Sequence, residues 1–142
     1  MSIIDGQKIN NTFFISINNP KSKNSMVPGF HPELQSKIDE AENSKDINSI
    51  IIFGEGGFFC AGGDLNSLKT RRDMTVPQRL ETLEQLNGTI KKIKNCSKPT
   101  IAAVEGGAAG AGVSLAIACD FLIMSEKSFL SLAYVKIGLT PD

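Results

Sequence analysis

Two glycine-rich segments, each placed at the end of a short apolar run, constrain the fold of this 142-residue chain more than any other feature. The first glycine loop, residues 54–63, follows the apolar run 49–53, and the second glycine loop, residues 106–112, follows the run 100–104. Nearly continuous apolar runs of this length are typical of strands buried on both faces of an α/β protein. Glycines after such strands let the backbone turn sharply and let a ligand come close to main-chain N–H groups.

The rest of the sequence alternates between helical and strand patterns. Helical spacing of apolar residues occurs in two stretches, formed by Leu34, Ile38 and Ala41 and by Leu83, Leu86, Ile90 and Ile93. Thr75 and Gln78 have the spacing of a capping box at the start of the second of these helices. A short helix is expected at 113–119, further strands are expected at 12–18 and 121–124, and a short apolar piece follows at 129–132. This order predicts an α/β fold with parallel strand pairing, in one domain that covers residues 1–142.

Composition excludes several function classes. The 15 basic and 15 acidic side chains balance, so charge gives no reason to expect nucleic acid or an anionic membrane as a partner. No apolar run reaches the roughly 18 residues of a membrane span, and no secretory signal opens the chain. The cysteines Cys60, Cys96 and Cys119 are odd in number and far apart, which argues against a disulfide framework or a zinc site. We therefore expect a cytoplasmic protein without a metal centre.

Three interpretations of the glycine loops compete. A phosphate cradle is disfavoured because neither loop carries the Lys-Ser/Thr of a P-loop or the spacing Gly-x-Gly-x-x-Gly. Close packing of small residues explains the pattern without any ligand. The third interpretation is a pair of backbone donors that converge on one oxygen atom, which is an oxyanion hole.

Four stretches of the chain carry a family resemblance, namely residues 19–26, 58–65, 98–106 and 118–120. Together and in this order they resemble the enoyl-CoA hydratase/isomerase (crotonase) superfamily, which acts in fatty acid metabolism. The resemblance implies a spiral of ββα turns, an acyl-CoA thioester as ligand, no cofactor beyond that coenzyme A, and a homotrimer or hexamer. Relatives continue for about as long again, so the family's C-terminal helices, which cover the acyl pocket and build the trimer, are expected to be missing from residues 1–142.

The resemblance also assigns residues to a site. Its two oxyanion donors fall on the backbone N–H groups of Gly63 and Ala111, where most relatives carry glycine at the second position. Residues expected to line the substrate beside these donors are Ala61, Gly62, Asp64, Leu65 and Gly110. Asp64 is expected mainly to hold the segment that follows it. Lys21 and Lys23 match the stretch that flanks the CoA nucleotide, and a solvated role is the alternative for both. Cys60, which has no neighbouring base, is interpreted as a small buried apolar residue.

The acid–base residues differ from those of the hydratases that this chain resembles. Ser114 and Tyr134 stand where those enzymes carry two glutamates, so hydration in the usual manner is doubtful, and both side chains either bind substrate or fill the vacated space. Asp142 directly follows Pro141, the position of the acid in the family's isomerases. We predict that Asp142 is the general acid and base, because one carboxylate can move a proton between two carbons. An ordinary turn aspartate is the alternative.

These residues favour an acyl-CoA isomerase that shifts a double bond or opens a ring epoxide through an enolate. Within the same class, an enoyl-CoA hydratase of unusual design remains open. From a different class, the chain could be a non-catalytic CoA-binding or scaffold subunit that has lost both glutamates.

Overall fold

The computed structural model describes residues 2–70, 73–138 and 140. Its strands are β1 (Ile4–Ile9), β2 (Thr12–Ile17), β3 (Ser49–Gly54), β4 (Thr100–Val104), β5 (Gly107–Ala109), β6 (Phe121–Met124) and β7 (Phe129–Ser131). Its α-helices are α1 (Phe30–Asn43), α2 (Leu65–Thr70), α3 (Val76–Lys94) and α4 (Ala111–Ala118). Short 3₁₀ helices cover Pro20–Ser22 and Ala133–Ile137. None of the helices in the described ranges is long and apolar enough to cross a bilayer.

Five strands form the main sheet in the order β1-β2-β3-β4-β6, and β5 pairs with β7 in a second, smaller sheet. All pairs are parallel except the β1–β2 hairpin. The register places Ile15 beside Ile52 and Ile52 beside Ala102, so one apolar row crosses the sheet. The predicted α/β fold with parallel pairing is confirmed.

The two faces of the main sheet differ in burial. Ile50 and Ile52 point to the side covered by helices and are fully buried. On the opposite side, Ile51 and Phe53 are only half-buried and line an open apolar depression. The expectation that the run 49–53 is buried on both faces was therefore wrong for one face, because no described element covers that side.

Helix α3 begins as its sequence predicts. The Thr75 hydroxyl accepts a hydrogen bond from the Gln78 N–H, and the Gln78 side chain accepts one from the Thr75 N–H, which completes the capping box. At the far end of its apolar face, Ile93 is buried in the core, whereas Leu83 near the helix start remains 41% exposed. Periodicity predicted the face of the helix correctly but not how far the core extends along it.

A carboxylate ties β4 to the start of β6. The N–H and the hydroxyl of Thr100 each donate a hydrogen bond of 2.8 Å to one oxygen of Asp120. These two bonds, the backbone one first, hold the pKa of the Asp120 carboxyl below its usual value. The strand that leads into the second glycine loop is thus anchored by an ionised side chain.

Candidate functional site

The first glycine loop is held from outside by residues 23–26. The N–H of Ala61 donates to the carbonyl of Lys23 at 2.9 Å, and the N–H of Met26 donates to the carbonyl of Gly62 at 2.8 Å. Between these two bonds lies Asn24, whose side chain is fully buried. Residues 23–26 therefore hold the first loop in place through two backbone hydrogen bonds.

Asn24 supports the first loop through its side chain, and no sequence pattern singled it out for this role. Its amide nitrogen donates to the carbonyls of Glu55 (2.9 Å) and Phe58 (2.6 Å), and its amide oxygen accepts from the Asn19 N–H (2.8 Å). Its backbone has φ 56°, a left-handed conformation that asparagine tolerates better than most residues. An asparagine within the matched stretch 19–26 was a signal, but its partners lie 31 and 34 residues away and could not be read from spacing.

The two glycine loops run side by side. The Cys60 carbonyl accepts a hydrogen bond from the Ala109 N–H at 2.9 Å, and the Gly107 carbonyl accepts one from the Phe59 N–H at 3.1 Å. A Cβ atom on Gly112 would lie 2.3 Å from the Cys60 carbonyl oxygen, so only glycine permits this approach. Close packing of small residues is therefore real, and it coexists with the donor interpretation instead of replacing it.

The contact brings the two predicted donors together. A Cβ atom on Gly62 would lie 3.0 Å from the Ala111 nitrogen, and the Gly63 nitrogen belongs to the next peptide group after Gly62. Within residues 2–70, 73–138 and 140, neither the Gly63 N–H nor the Ala111 N–H has a hydrogen-bond acceptor. The Ala111 N–H opens α4, where the helix dipole adds a partial positive charge. Two adjacent unused donors of this kind can stabilise a developing negative charge on one oxygen atom.

Cys60 belongs to the first loop, and its thiol is inert. It is fully buried, and the Gly62 N–H donates to its sulfur at 3.4 Å. Burial raises the pKa of the Cys60 thiol to about 12, which leaves no thiolate to act as a nucleophile. The interpretation of Cys60 as a small buried apolar residue is confirmed.

The residues after the first loop begin a helix. One carboxylate oxygen of Asp64 accepts bonds from the Ser67 N–H (2.8 Å) and the Ser67 hydroxyl (2.9 Å), which caps α2 as expected. Leu65 points to solvent and is 60% exposed, whereas the Leu68 side chain lies closest to Gly63. Leu68 is thus the apolar neighbour of the first donor, and its position in a short helix was not predicted.

The two lysines lie on the outer side of the first loop. Lys21 is exposed, and the Lys23 ammonium lies 5.4 Å from the centre of the Phe58 ring, within the range of a cation–π contact. Lys23 thus has an aromatic neighbour in the first loop, and phosphate binding by either lysine stays a prediction.

Ser114 and Tyr134, the two residues that the resemblance aligns with the family's glutamates, contact each other directly. The Ser114 hydroxyl on α4 and the Tyr134 hydroxyl on the last 3₁₀ helix lie 3.2 Å apart, and Tyr134 is only 6% exposed. The Tyr134 ring packs toward Gly110, the residue before the second donor. Asp142 lies outside the described residues, so its role as acid and base stays a prediction.

Comparison with known proteins gives consistent matches. A family model described as enoyl-CoA hydratase/isomerase matches residues 7–142. A probable enoyl-CoA hydratase of Mycobacterium tuberculosis is 34% identical over 89% of this chain and 48% of its own length. A peroxisomal Delta(3,5)-Delta(2,4)-dienoyl-CoA isomerase of Arabidopsis thaliana is 30% identical over 100% of this chain and 54% of its own length.

A solved structure agrees at the level of the backbone. The crystal structure of an enoyl-CoA hydratase from Polaromonas sp. JS666 superimposes with a TM-score of 0.94 at 37% identity, covering 98% of this chain and 54% of that one. The chain spans about half the length of the curated relatives it matches.

Proposed function

The chain belongs to the enoyl-CoA hydratase/isomerase (crotonase) family, and from this premise we propose that its protein binds an acyl-CoA thioester and isomerises it through an enolate. The resemblance also leads us to propose a cytoplasmic homotrimer or hexamer that needs no cofactor beyond the coenzyme A of its substrate. Activity, substrate and assembly all belong to this proposal, because the chain matches only about half of its relatives' length.

The adjacent, unused N–H groups of Gly63 and Ala111 carry the proposal. When a base removes a proton next to a thioester, the electron pair left on carbon delocalises onto the carbonyl oxygen. Donors already aimed at that oxygen stabilise the enolate without reorganisation, and loss of one such donor typically costs about 3–4 kcal/mol of barrier. The two glycine loops offer two donors from separate segments of the chain to a single oxygen.

We assign the proton transfer to Asp142. Its carboxylate takes a proton from one carbon of the acyl group, and the resulting carboxylic acid returns that proton to another carbon, so atoms and electrons balance without a cofactor. The resemblance supports this role, because an acid directly after the proline marks the isomerases of the family. Lys21 and Lys23 lie on the outer side of the first loop, and we propose them as contacts for the CoA phosphates.

Hydration is the second candidate function, and the names of relatives favour it: the mycobacterial relative is named a probable hydratase and the Polaromonas structure is titled a hydratase. The direct Ser114–Tyr134 bond speaks against hydration in the usual manner. It places two neutral hydroxyls, at 3.2 Å from each other, where hydratases hold water between carboxylates.

The test uses the protein expressed from its complete coding sequence. A 3-enoyl-CoA is supplied, and the conjugated 2-enoyl-CoA is followed by its ultraviolet absorbance while mass spectrometry detects any water-adduct product. We expect double-bond migration that falls at least about a hundredfold in Asp142→Asn, because loss of general acid–base catalysis costs on the order of 10²–10⁴ in rate.

Asp46→Asn is the matched control, since its carboxylate is 78% exposed and pairs only loosely with Lys8. Full activity of Asp142→Asn would remove this residue from the mechanism. A 3-hydroxyacyl-CoA product would establish the hydratase instead, and CoA binding without turnover would establish a non-catalytic subunit.

A further inference from the structure

We propose that Ser114 and Tyr134 act as a clamp that fixes the direction of the Ala111 N–H. The inference rests on the proposed function, because it takes that N–H to be one of the two donors to the thioester oxygen. Neither hydroxyl needs to touch the reacting atoms, so both are positioning residues.

The Ala111 N–H needs such support because the residue before it is a glycine in an unusual conformation. Gly110 has φ 51° and ψ −128°, and the N–H in question belongs to the peptide group that joins Gly110 to Ala111. That peptide plane turns with the ψ angle of Gly110, and glycine opposes such a turn less than any other residue. On the helix side, the carbonyl of this peptide accepts a hydrogen bond from the Val113 N–H at 2.9 Å, but α4 has no side-chain cap that would add a second restraint there.

Two contacts restrain Gly110 from the opposite side, and a third holds the side chain that makes one of them. The Gly110 N–H donates to the Ser131 carbonyl at 2.9 Å, which ties the glycine to the end of β7. The Tyr134 ring stands over the same residue, because a Cβ atom on Gly110 would lie 3.9 Å and 4.0 Å from two ring carbons. The Tyr134 hydroxyl meets the Ser114 hydroxyl, one turn further along α4, at 3.2 Å.

These contacts close a ring of connections. The helix backbone joins Gly110 to Ser114, the hydroxyl pair joins Ser114 to Tyr134, the chain joins Tyr134 to Ser131, and a backbone hydrogen bond returns to Gly110. Burial of Tyr134 to 6% exposure restricts the ring of this side chain further. If the hydroxyl bond is removed, the Tyr134 ring loses its tether to α4, and the Gly110–Ala111 peptide keeps the Val113 bond at its carbonyl but loses the restraint from the ring.

A tilted donor weakens catalysis more than it weakens substrate binding. A hydrogen bond weakens steeply as its N–H···O angle falls below about 120°. The loss is greatest for the charged enolate oxygen of the transition state, because hydrogen bonds to charged acceptors are the stronger ones. We therefore expect Ser114→Ala and Tyr134→Phe each to lower kcat about tenfold with KM nearly unchanged, less than the full loss of an oxyanion donor. Because both variants break the same bond, the double variant should lose no more than either single one.

The decisive measurement is the infrared band of the thioester carbonyl in a bound 2-enoyl-CoA that carries ¹³C at that carbonyl. The protein is again expressed from its complete coding sequence, and circular dichroism confirms that each variant folds. In the unchanged protein we expect the band at lower frequency than in free ligand, because two N–H donors polarise the carbonyl. In each single variant the band should move back toward the free value.

Ser128→Ala is the matched control, because its hydroxyl bonds only the Ser125 carbonyl in a nearby exposed turn, and neither band nor kcat should change. If Tyr134→Phe fails to fold, Ser114→Ala carries the test alone. An unmoved band in folded variants, or effects that add in the double variant, overturns the clamp and leaves the proposed function intact. A band in the unchanged protein that matches free ligand contradicts the proposed oxyanion hole, and the clamp falls with it.

Discussion

Buried side-chain hydrogen bonds add to the backbone bonds that hold the first glycine loop, whereas the second loop is held by backbone bonds and lies beside one pair of hydroxyls. Asn24 bonds two carbonyls of the first loop, and Asp64 caps the helix that follows it. The second loop meets Cys60 and Ser131 through main-chain bonds, and its helix α4 has no side-chain cap. The two loops thus differ in the side chains that support them, and we expect substitutions in one loop to have effects that differ from those in the other.

The contact between the loops should be the most sensitive point, since both depend on it. In Gly62→Ala the added carbon would meet the Ala109 carbonyl oxygen at 2.5 Å, and alanine would have to adopt φ +83°. The backbone strain of about 1–2 kcal/mol and the overpacking of about 1–3 kcal/mol together predict a loss near 3 kcal/mol in the free energy of unfolding. Urea denaturation measures it.

Gly57→Ala separates the two contributions. Gly57 also has a positive φ, +76°, but nothing lies within 4 Å of its added carbon, so only the strain of about 1–2 kcal/mol remains. Equal losses in the two variants would mean that the loops do not press against each other at Gly62.

A smaller loss, confined to the first loop, is expected from Asn24→Ala. The change leaves the carbonyls of Glu55 and Phe58 and the N–H of Asn19 without their buried partner, which predicts a loss of about 2–3 kcal/mol in the free energy of unfolding. Hydrogen exchange should rise in residues 55–63 and stay unchanged at Gly110 in the second loop, because the Gly110 N–H bonds the Ser131 carbonyl outside the first loop.

Asn18→Ala is the matched control for this prediction. Its amide donates only a 3.3 Å bond to the exposed Asp5 carboxylate, so the change should stay within about 0.5 kcal/mol. Faster exchange in both loops of Asn24→Ala would show that the two supports are not independent.

The contrast between the loops also explains what the sequence could and could not predict. Local patterns sufficed for the strands at 49–54 and 100–104 and for the capping box at Thr75, because these depend on neighbours in the chain. Strand β1 was missed because it is a polar edge strand with five of its six residues exposed. Asn24 and the Ser114–Tyr134 pair were beyond reach for a different reason: each bond joins residues at least 20 positions apart, apart from the short Asn19 contact.

The resemblance to the family supplied the prediction that Gly63 and Ala111 are donors, and the structure places Gly62, the neighbour of Gly63, against the Ala111 nitrogen. It could not show that Ser114 and Tyr134 bond each other, because the family pattern that it draws on has glutamates at these positions and no such pair of hydroxyls. The side chains that support the predicted site are therefore harder to predict than its proposed donors. The donors are backbone N–H groups, whereas each support depends on one particular side chain.

Low pH should affect the supports of the two loops differently, and the change in stability should be the smallest of those expected here. The Asn24 amide that supports the first loop does not titrate. Strand β4, which leads into the second loop, is instead tied to β6 by the ionised Asp120 carboxylate. Because the folded protein lowers the pKa of Asp120, this carboxylate stabilises the fold above its unfolded pKa of about 3.9, and that contribution is lost as the pH falls toward the lowered value. Urea denaturation from pH 6 down to pH 3 should show stability declining below about pH 4, and less steeply in Asp120→Asn than in the unchanged protein.

Hydrogen exchange in the same series should rise first in residues 100–104 and only later in residues 49–54, since β3 carries no such carboxylate tie. Asp46→Asn, which removes an exposed carboxylate, is the control and should leave the slope as it was. An identical slope in Asp120→Asn would show that the ionised tie adds nothing to the support of the second loop, and the contrast would then rest on backbone contacts alone.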